Sequence, residues 1–189
     1  MEERTLLVSS TAKGAQQLLE LLDAPPGYVV QRTDGAAARR TLMEEAFGLV
    51  IINAPLSDEF GHELALYAVH NTPAGVVLLV KSELFEEVAS RVEQNGVFPV
   101  AKPMSRGALQ QAVRMAAATH ARITGLMEER QQLVQRIENM RLVNRAKCAL
   151  MQYLSMTEAE AHRYLSKQAM NLRTSKETVA REILKMYEV

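Results

Sequence analysis

Apolar and polar positions follow two different rhythms along this chain, and the change of rhythm divides it. Up to about residue 120, short apolar runs alternate with helical spacings. The runs are Thr5–Ser9, Tyr28–Val30, Gly48–Ile52, Gly75–Val80 and Phe98–Val100. Between them, Ala15–Leu22, Ala36–Phe47, Gly61–His70 and Leu84–Glu93 carry helical periodicity, and Pro25-Pro26-Gly27 stops the first of these helices. Gly48–Ile52 is the clearest core strand and Phe98–Val100 the weakest. Near-continuous apolar strands separated by helices predict a parallel five-stranded sheet covered on both faces. In such folds the functional crevice lies at the carboxyl ends of the strands.

From Ser105 the rhythm is helical alone for about 45 residues. Ile123, Leu126, Leu133, Ile137 and Met140 lie three, four or seven apart, interrupted at Arg130 and continued by the polar Asn144. That is the stripe of a coiled coil, and a polar seam residue fixes register and strand number at some cost in stability. The stripe packs either on a second copy or on the chain's own domains. No other apolar helix of comparable length remains to cover it, so a homodimer is expected. Thr157-Glu158-Ala159-Glu160 and Thr174-Ser175-Lys176-Glu177 have capping-box spacing and open two further helices, to about Met170 and Met186. Neither is long enough to stand alone in water, so they pack on each other and on the end of the long helix. The plan is an α/β domain over 1–120, a coiled-coil linker over 121–140 and an all-α three-helix domain over 136–189.

Charge follows the same division. Residues 1–135 carry 12 Lys and Arg against 16 Asp and Glu, whereas 136–189 carry 10 against 6. The tail is therefore the anion-facing end. Cys148 is the only cysteine, which excludes a disulfide framework, and the four histidines have no ligand spacing. No nucleophile–base set, metal cluster or phosphate loop is present, so neither an enzyme nor a cofactor is expected. With no apolar run near the ~18 residues of a membrane span, and no signal-peptide start, the expected location is the cytoplasm, with no membrane partner.

The front half resembles the receiver domain of bacterial response regulators, a flavodoxin-like fold. The resemblance rests on the strand order, on Asn53-Ala54-Pro55-Leu56-Ser57-Asp58-Glu59-Phe60-Gly61 after the third strand, and on Lys102-Pro103 after the fifth. It implies that Asn53 stands where the family has its phosphoacceptor aspartate. Ser9 and Ser10 stand where an acidic pair holds magnesium, and Val80 where a hydroxyl residue closes the fourth strand. Of the reactive set only Lys102 remains. An amide does not form an acyl phosphate at a useful rate, and serines are poor Mg²⁺ ligands beside carboxylates. A pseudo-receiver is expected, controlled by a partner protein or by dimerisation. Lys102 either bonds to Asn53 or strand-end carbonyls, or binds another anion. Asp58 reads as a solvent-facing turn residue, with metal ligation as the competing role.

The last third resembles the ANTAR domain, an RNA-binding antitermination module, through Ala146-Lys147-Cys148-Ala149-Leu150-Met151, Glu160-Ala161 with Leu165, Ala169-Met170, and Ala180 with Ile183. Cys148 replaces the usual glycine and is expected to pack in a helix crossing, with a redox switch as the competing role. The resemblance implies a dimer that binds paired hairpin loops in leader mRNA. Arg145, Lys147, Arg163, Lys167, Arg173 and Lys176, with Arg181, are the candidate phosphate contacts, and Arg145 and Lys147 lead. Tyr164 and Tyr153 are candidate stacking faces and Asn171 an edge contact, although a tyrosine beside Leu165 also suits a core. Two other functions compete: a DNA-binding regulator and a protein-interaction adaptor. Against the first, Asn171–Ser175 lacks the usual glycine turn and the last helix has few base-reading residues.

Overall fold

The computed structural model describes residues 4–22 and 27–187. Two compact units, Met1–Leu126 and Met127–Val189, divide the chain. In the first, β1 (Thr5–Ser9), β2 (Val29–Arg32), β3 (Leu49–Asn53), β4 (Gly75–Lys81) and β5 (Val97–Lys102) form one sheet in the order β2-β1-β3-β4-β5, every pair parallel. The helices α1 (Ala12–Leu22), α2 (Gly35–Glu44), α3 (His62–Asn71) and α4 (Phe85–Val92) connect them, and α5 (Arg106–Leu154) follows.

Strand alternation explains why the apolar runs are continuous. Leu6, Val8, Val50, Ile52, Val76 and Leu78 face one core with Ala38, Leu42, Leu64 and Val92 from α2, α3 and α4. Their neighbours Leu7, Leu49, Ile51, Val77 and Leu79 face the other, with Leu18 of α1 and Leu109, Ala112 and Ala116 of α5. Both faces are covered, so both parities must be apolar.

Two expectations change here. β5 is a full six-residue strand paired with β4 from Val97 to Lys102, because Pro99 sits on the sheet's edge, where a missing N–H is tolerated. α2 ends at Glu44, and Phe47 beyond it is a buried core residue. The Pro25-Pro26 stop lies outside the described residues, and Gly27 turns at φ 89°. His120, which had no role in the sequence, is buried on α5 with Nδ1 2.7 Å from the Pro73 carbonyl oxygen.

The second unit packs the end of α5 against α6 (Glu158–Asn171) and α7 (Lys176–Tyr187). Its core is Ala146, Ala149 and Leu150, then Ala161, Leu165 and Ala169, then Val179, Ala180, Ile183 and Leu184. Ala146, Ala161 and Ala180 are fully buried, so the helices approach where side chains are smallest. Thr157 opens α6 with a complete capping box: its hydroxyl accepts from Glu160 N, and the Glu160 carboxylate accepts from Thr157 N.

The second cap is Ser175, not Thr174. Thr178 N donates to Ser175 Oγ at 3.2 Å. Thr174 is already committed, its N–H closing α6 on the Ala169 carbonyl at 2.9 Å while Arg173 N reaches Met170 O. This is a Schellman end with Arg173, at φ 49°, in the left-handed position where glycine is usual.

Candidate nucleic-acid interface

Most of the candidate phosphate contacts of the second unit line three hollows. Lys147 of α5 and Lys176 of α7 line a groove of about 880 Å³ with His162, Val143, Met140 and Asn144. The last two seam positions therefore share a groove with two candidate RNA contacts, which spacing alone assigns to separate tasks. Lys147 is mostly covered, and its Nζ donates to Glu158 Oε1 at 2.8 Å. That hydrogen bond, and then the charge behind it, holds the Glu158 carboxyl below the usual glutamate value. The lysine is fixed at the helix junction beside the buried Ala146, and a carboxylate sits against it.

A second hollow, of about 550 Å³, runs along α5 between Arg141, Arg145, Cys148, Gln152 and Tyr153. Cys148 is exposed, which corrects the expectation that it packs at a helix crossing. Ala146, Ala149 and Leu150 make that crossing, and position 148 falls on the opposite side of the turn. Tyr153 is half exposed and stacks on Tyr187 of α7, with centroids 5.2 Å apart and planes at 16°.

The third is a notch of about 430 Å³ at the turn between α5 and α6, lined by Leu154, Ser155, Glu160, Arg163, Tyr164 and Lys167. Tyr164 is exposed rather than core. Arg173 stands apart in the α6–α7 turn, exposed like Asn171 and Arg181.

Along α5 the stripe has no covering partner among the described residues. Leu126, Leu133, Ile137 and Met140 are each more than half exposed, Ile123 is about a third exposed and Asn144 is exposed. Met127 and Val134, beside the stripe, are exposed too and widen it.

At the carboxyl ends of the first unit's strands, polar side chains close on one another. Lys102 Nζ donates to Asn53 Oδ1 at 2.7 Å and to the Ala54 carbonyl at 2.6 Å. Asn53 Nδ2 donates to Ser9 Oγ at 3.1 Å, and Ser9 Oγ donates onward to Thr11 O. Ser10 Oγ donates to Pro55 O. Partial burial, and then the neighbouring Lys81 charge, keeps the Lys102 ammonium below the ordinary lysine value. The magnesium ion used by receivers does not fit this donor set, since an amide and two hydroxyls replace the carboxylates and an ammonium already occupies Asn53 Oδ1. Val80 is fully buried and offers no hydroxyl.

Asp58 is not simply a turn residue facing solvent. Its carboxylate accepts from Gly35 N at 2.8 Å and Ala36 N at 2.9 Å, and these bonds lower its pKa. It caps α2 from 23 residues away, together with Asp34, whose Oδ1 accepts from Ala37 N. Among the described residues no helix is long and apolar enough to cross a membrane.

Comparison with known proteins agrees with this division. Residues 131–184 match the ANTAR domain. The chain is 27% identical over 183 residues to the transcriptional regulatory protein PdtaR of Mycobacterium tuberculosis, covering 96% of this chain and 89% of that one. It is 26% identical over 136 residues to the aliphatic amidase regulator of Pseudomonas aeruginosa, covering 71% and 69%. The signal receiver domain of an HD-domain protein from Pseudomonas fluorescens Pf-5 superposes with a TM-score of 0.55 at 23% identity, over 64% of this chain and 91% of that one, and shares the fold. The chain thus sets a sheet of receiver fold in front of a segment that matches the ANTAR domain, and over nearly its whole length it is similar to a transcriptional regulatory protein.

Proposed function

We propose that this protein is an RNA-binding antitermination regulator. It engages hairpin loops of leader transcripts as a dimer and is controlled through a receiver domain that takes no phosphoryl group. The observation that carries this reading is the ANTAR match over 131–184, which falls on a three-helix unit whose surface presents Arg145, Lys147, Arg163, Lys167, Arg173 and Lys176. Those cations neutralise phosphates, and exposed Tyr153 and Tyr164 offer stacking faces to unpaired bases.

Dimerisation is supported by the bare stripe. Fully burying a Leu, Ile or Met side chain is worth roughly 1.5–3 kcal/mol. Leu126, Leu133, Ile137 and Met140, each about half exposed, would therefore contribute about 1 kcal/mol apiece on each helix when a second α5 covers them. Asn144 would then fix the register. Control through a partner protein is supported by the closed polar set around Asn53, which keeps the frame of a receiver while satisfying its own hydrogen bonds.

A gel-shift titration against a two-hairpin leader RNA, the same sequence as duplex DNA and a loop-scrambled RNA, across a salt series, tests the function. Binding to the intact RNA alone is expected. Equal and steeply salt-dependent binding to all three would reduce the tail to an electrostatic surface and favour an adaptor.

A further inference from the structure

The notch at the α5–α6 turn has a composition that neither packing nor solvation explains. Leu154, the last residue of α5, is 45% exposed, and Tyr164 on α6 is 36% exposed. Ser155 reverses the chain between the two helices at φ 54°, and both side chains line one cleft. Together they give the cleft an apolar face rimmed by polar groups.

The rim narrows the occupant. Arg163 and Lys167 lie one turn apart on α6 and line the same cleft, so the occupant carries negative charge. Glu160 also lines it, which excludes an occupant that is all anion. Its Oε2 holds Thr157 N at 2.8 Å and Thr157 Oγ1 at 2.7 Å, which fixes the side chain. Those two bonds keep its carboxyl below the ordinary glutamate value and therefore ionised. Among the described residues no hydrogen bond engages Oε1, which can accept from a ligand N–H. A flat apolar face, two cations and one fixed acceptor together describe a nucleotide: a ring to stack, a phosphate and an amino or imino edge.

We propose that this notch is a base-reading site. One unpaired RNA base stacks on Tyr164 against Leu154, its phosphate lies at Arg163 and Lys167, and its N–H edge donates to Glu160 Oε1. The proposal rests on the RNA-binding reading above and assigns it a specific residue.

The test uses the full-length chain and a hairpin RNA carrying 2-aminopurine at one loop position at a time. A matched hairpin whose loop is replaced by a short inert linker is the control. Wild type is expected to quench one loop position and to prefer the looped RNA. Tyr164→Ala is expected to lose that quench and roughly tenfold or more of the preference, with unchanged binding to the linker control. Tyr164→Phe, which keeps the ring, is expected to retain both. An equal thermal transition for the variants shows that the fold is kept, as the exposure of Tyr164 implies.

If wild type does not distinguish looped from linker RNA, the RNA reading itself falls and the site with it. If wild type distinguishes them and Tyr164→Ala does so equally, the notch proposal alone is overturned, and the cleft passes to a protein segment bearing an acid and an aromatic.

Discussion

Lys102 Nζ lies 2.7 Å from Asn53 Oδ1, so the ammonium spends its charge on the amide that, on the receiver resemblance, stands at the phosphoacceptor position. The amide cannot turn its other end to a phosphate either, because Nδ2 is held by Ser9. Incubation with a small phosphodonor and Mg²⁺ is therefore expected to leave the intact mass unchanged. The same is expected for Asn53→Asp, since Ser9 and Ser10 still provide no carboxylate for the cation. A phosphoryl mass increment on the wild-type receiver domain would contradict this.

Gly75, the first residue of β4, lies directly under α5. A Cβ built there would stand 2.1 Å from the Ala116 carbonyl oxygen, a backbone atom that no rotamer change can move. Gly75→Ala must push α5 off the sheet, so a loss of about 1–3 kcal/mol or more is expected from overpacking. Urea unfolding measures it, and a loss below about 0.5 kcal/mol, the range of an ordinary surface substitution, would show that α5 yields freely.

Much of the fold was legible because parallel strands buried on both faces are written as unbroken apolar runs, as in Val50-Ile51-Ile52 and Val76-Val77-Leu78-Leu79. β5 was underestimated because a proline reads as a breaker unless its edge position is known, and edge position is a property of the whole sheet. The alanines at the tail's crossings, Ala146, Ala161 and Ala180, stand among the residues that carry the ANTAR resemblance. What stayed hidden depended on contacts distant in sequence. Asp58 looks like a loop residue until α2 is placed against it. Cys148 looks like a packing residue until the crossing is seen to run through Ala146 and Ala149. The grouping of cations into separate clefts follows from helix rotation, which a list of basic residues does not contain.

The α6 capping box makes the tail sensitive to acid. Hydrogen bonds from Thr157 N and then its hydroxyl lower the Glu160 pKa in the fold. In the unfolded chain that carboxyl returns to its ordinary value, so on acidification the unfolded state takes up the proton first. The stabilisation is complete above the ordinary glutamate range and is lost as pH falls through the lowered folded value. Glu160→Gln keeps an acceptor for Thr157 but has no proton to gain. Helix melts followed by circular dichroism are expected to lose stability with acid more steeply in wild type than in Glu160→Gln. Parallel curves would mean that the box contributes nothing to the pH dependence.

On the proposed function, Glu158 would compete with RNA for Lys147, to which it is paired at 2.8 Å. The lysine's side chain is 15% exposed and the glutamate's 71%, so the pair presents its negative member to solvent. Glu158→Gln removes that charge and leaves the cation for a phosphate. RNA binding is expected to tighten several-fold at low salt, with the log–log salt slope steeper by about one. Lys147→Glu is the poorer experiment, because it sets two carboxylates against each other at the α5–α6 junction and disturbs the fold as well as the surface. An unchanged or weaker affinity in Glu158→Gln would remove Lys147 from the RNA surface.

Arg173 supplies the sharpest separation of stability from binding. It occupies the left-handed position that ends α6, at φ 49°, where a side chain costs about 1 kcal/mol relative to glycine. Part of that cost is offset in the unfolded chain, because glycine is freer there. Arg173→Gly is therefore expected to raise stability by about 0.5–1 kcal/mol. If the arginine sits in that position because its cation meets a phosphate, the same substitution weakens RNA binding several-fold. The two effects have opposite signs, so a general loss of structure cannot imitate them. Chemical denaturation and RNA titration on the same preparation read both. A variant that is more stable and binds RNA as well as wild type would show that the strained arginine serves no contact there.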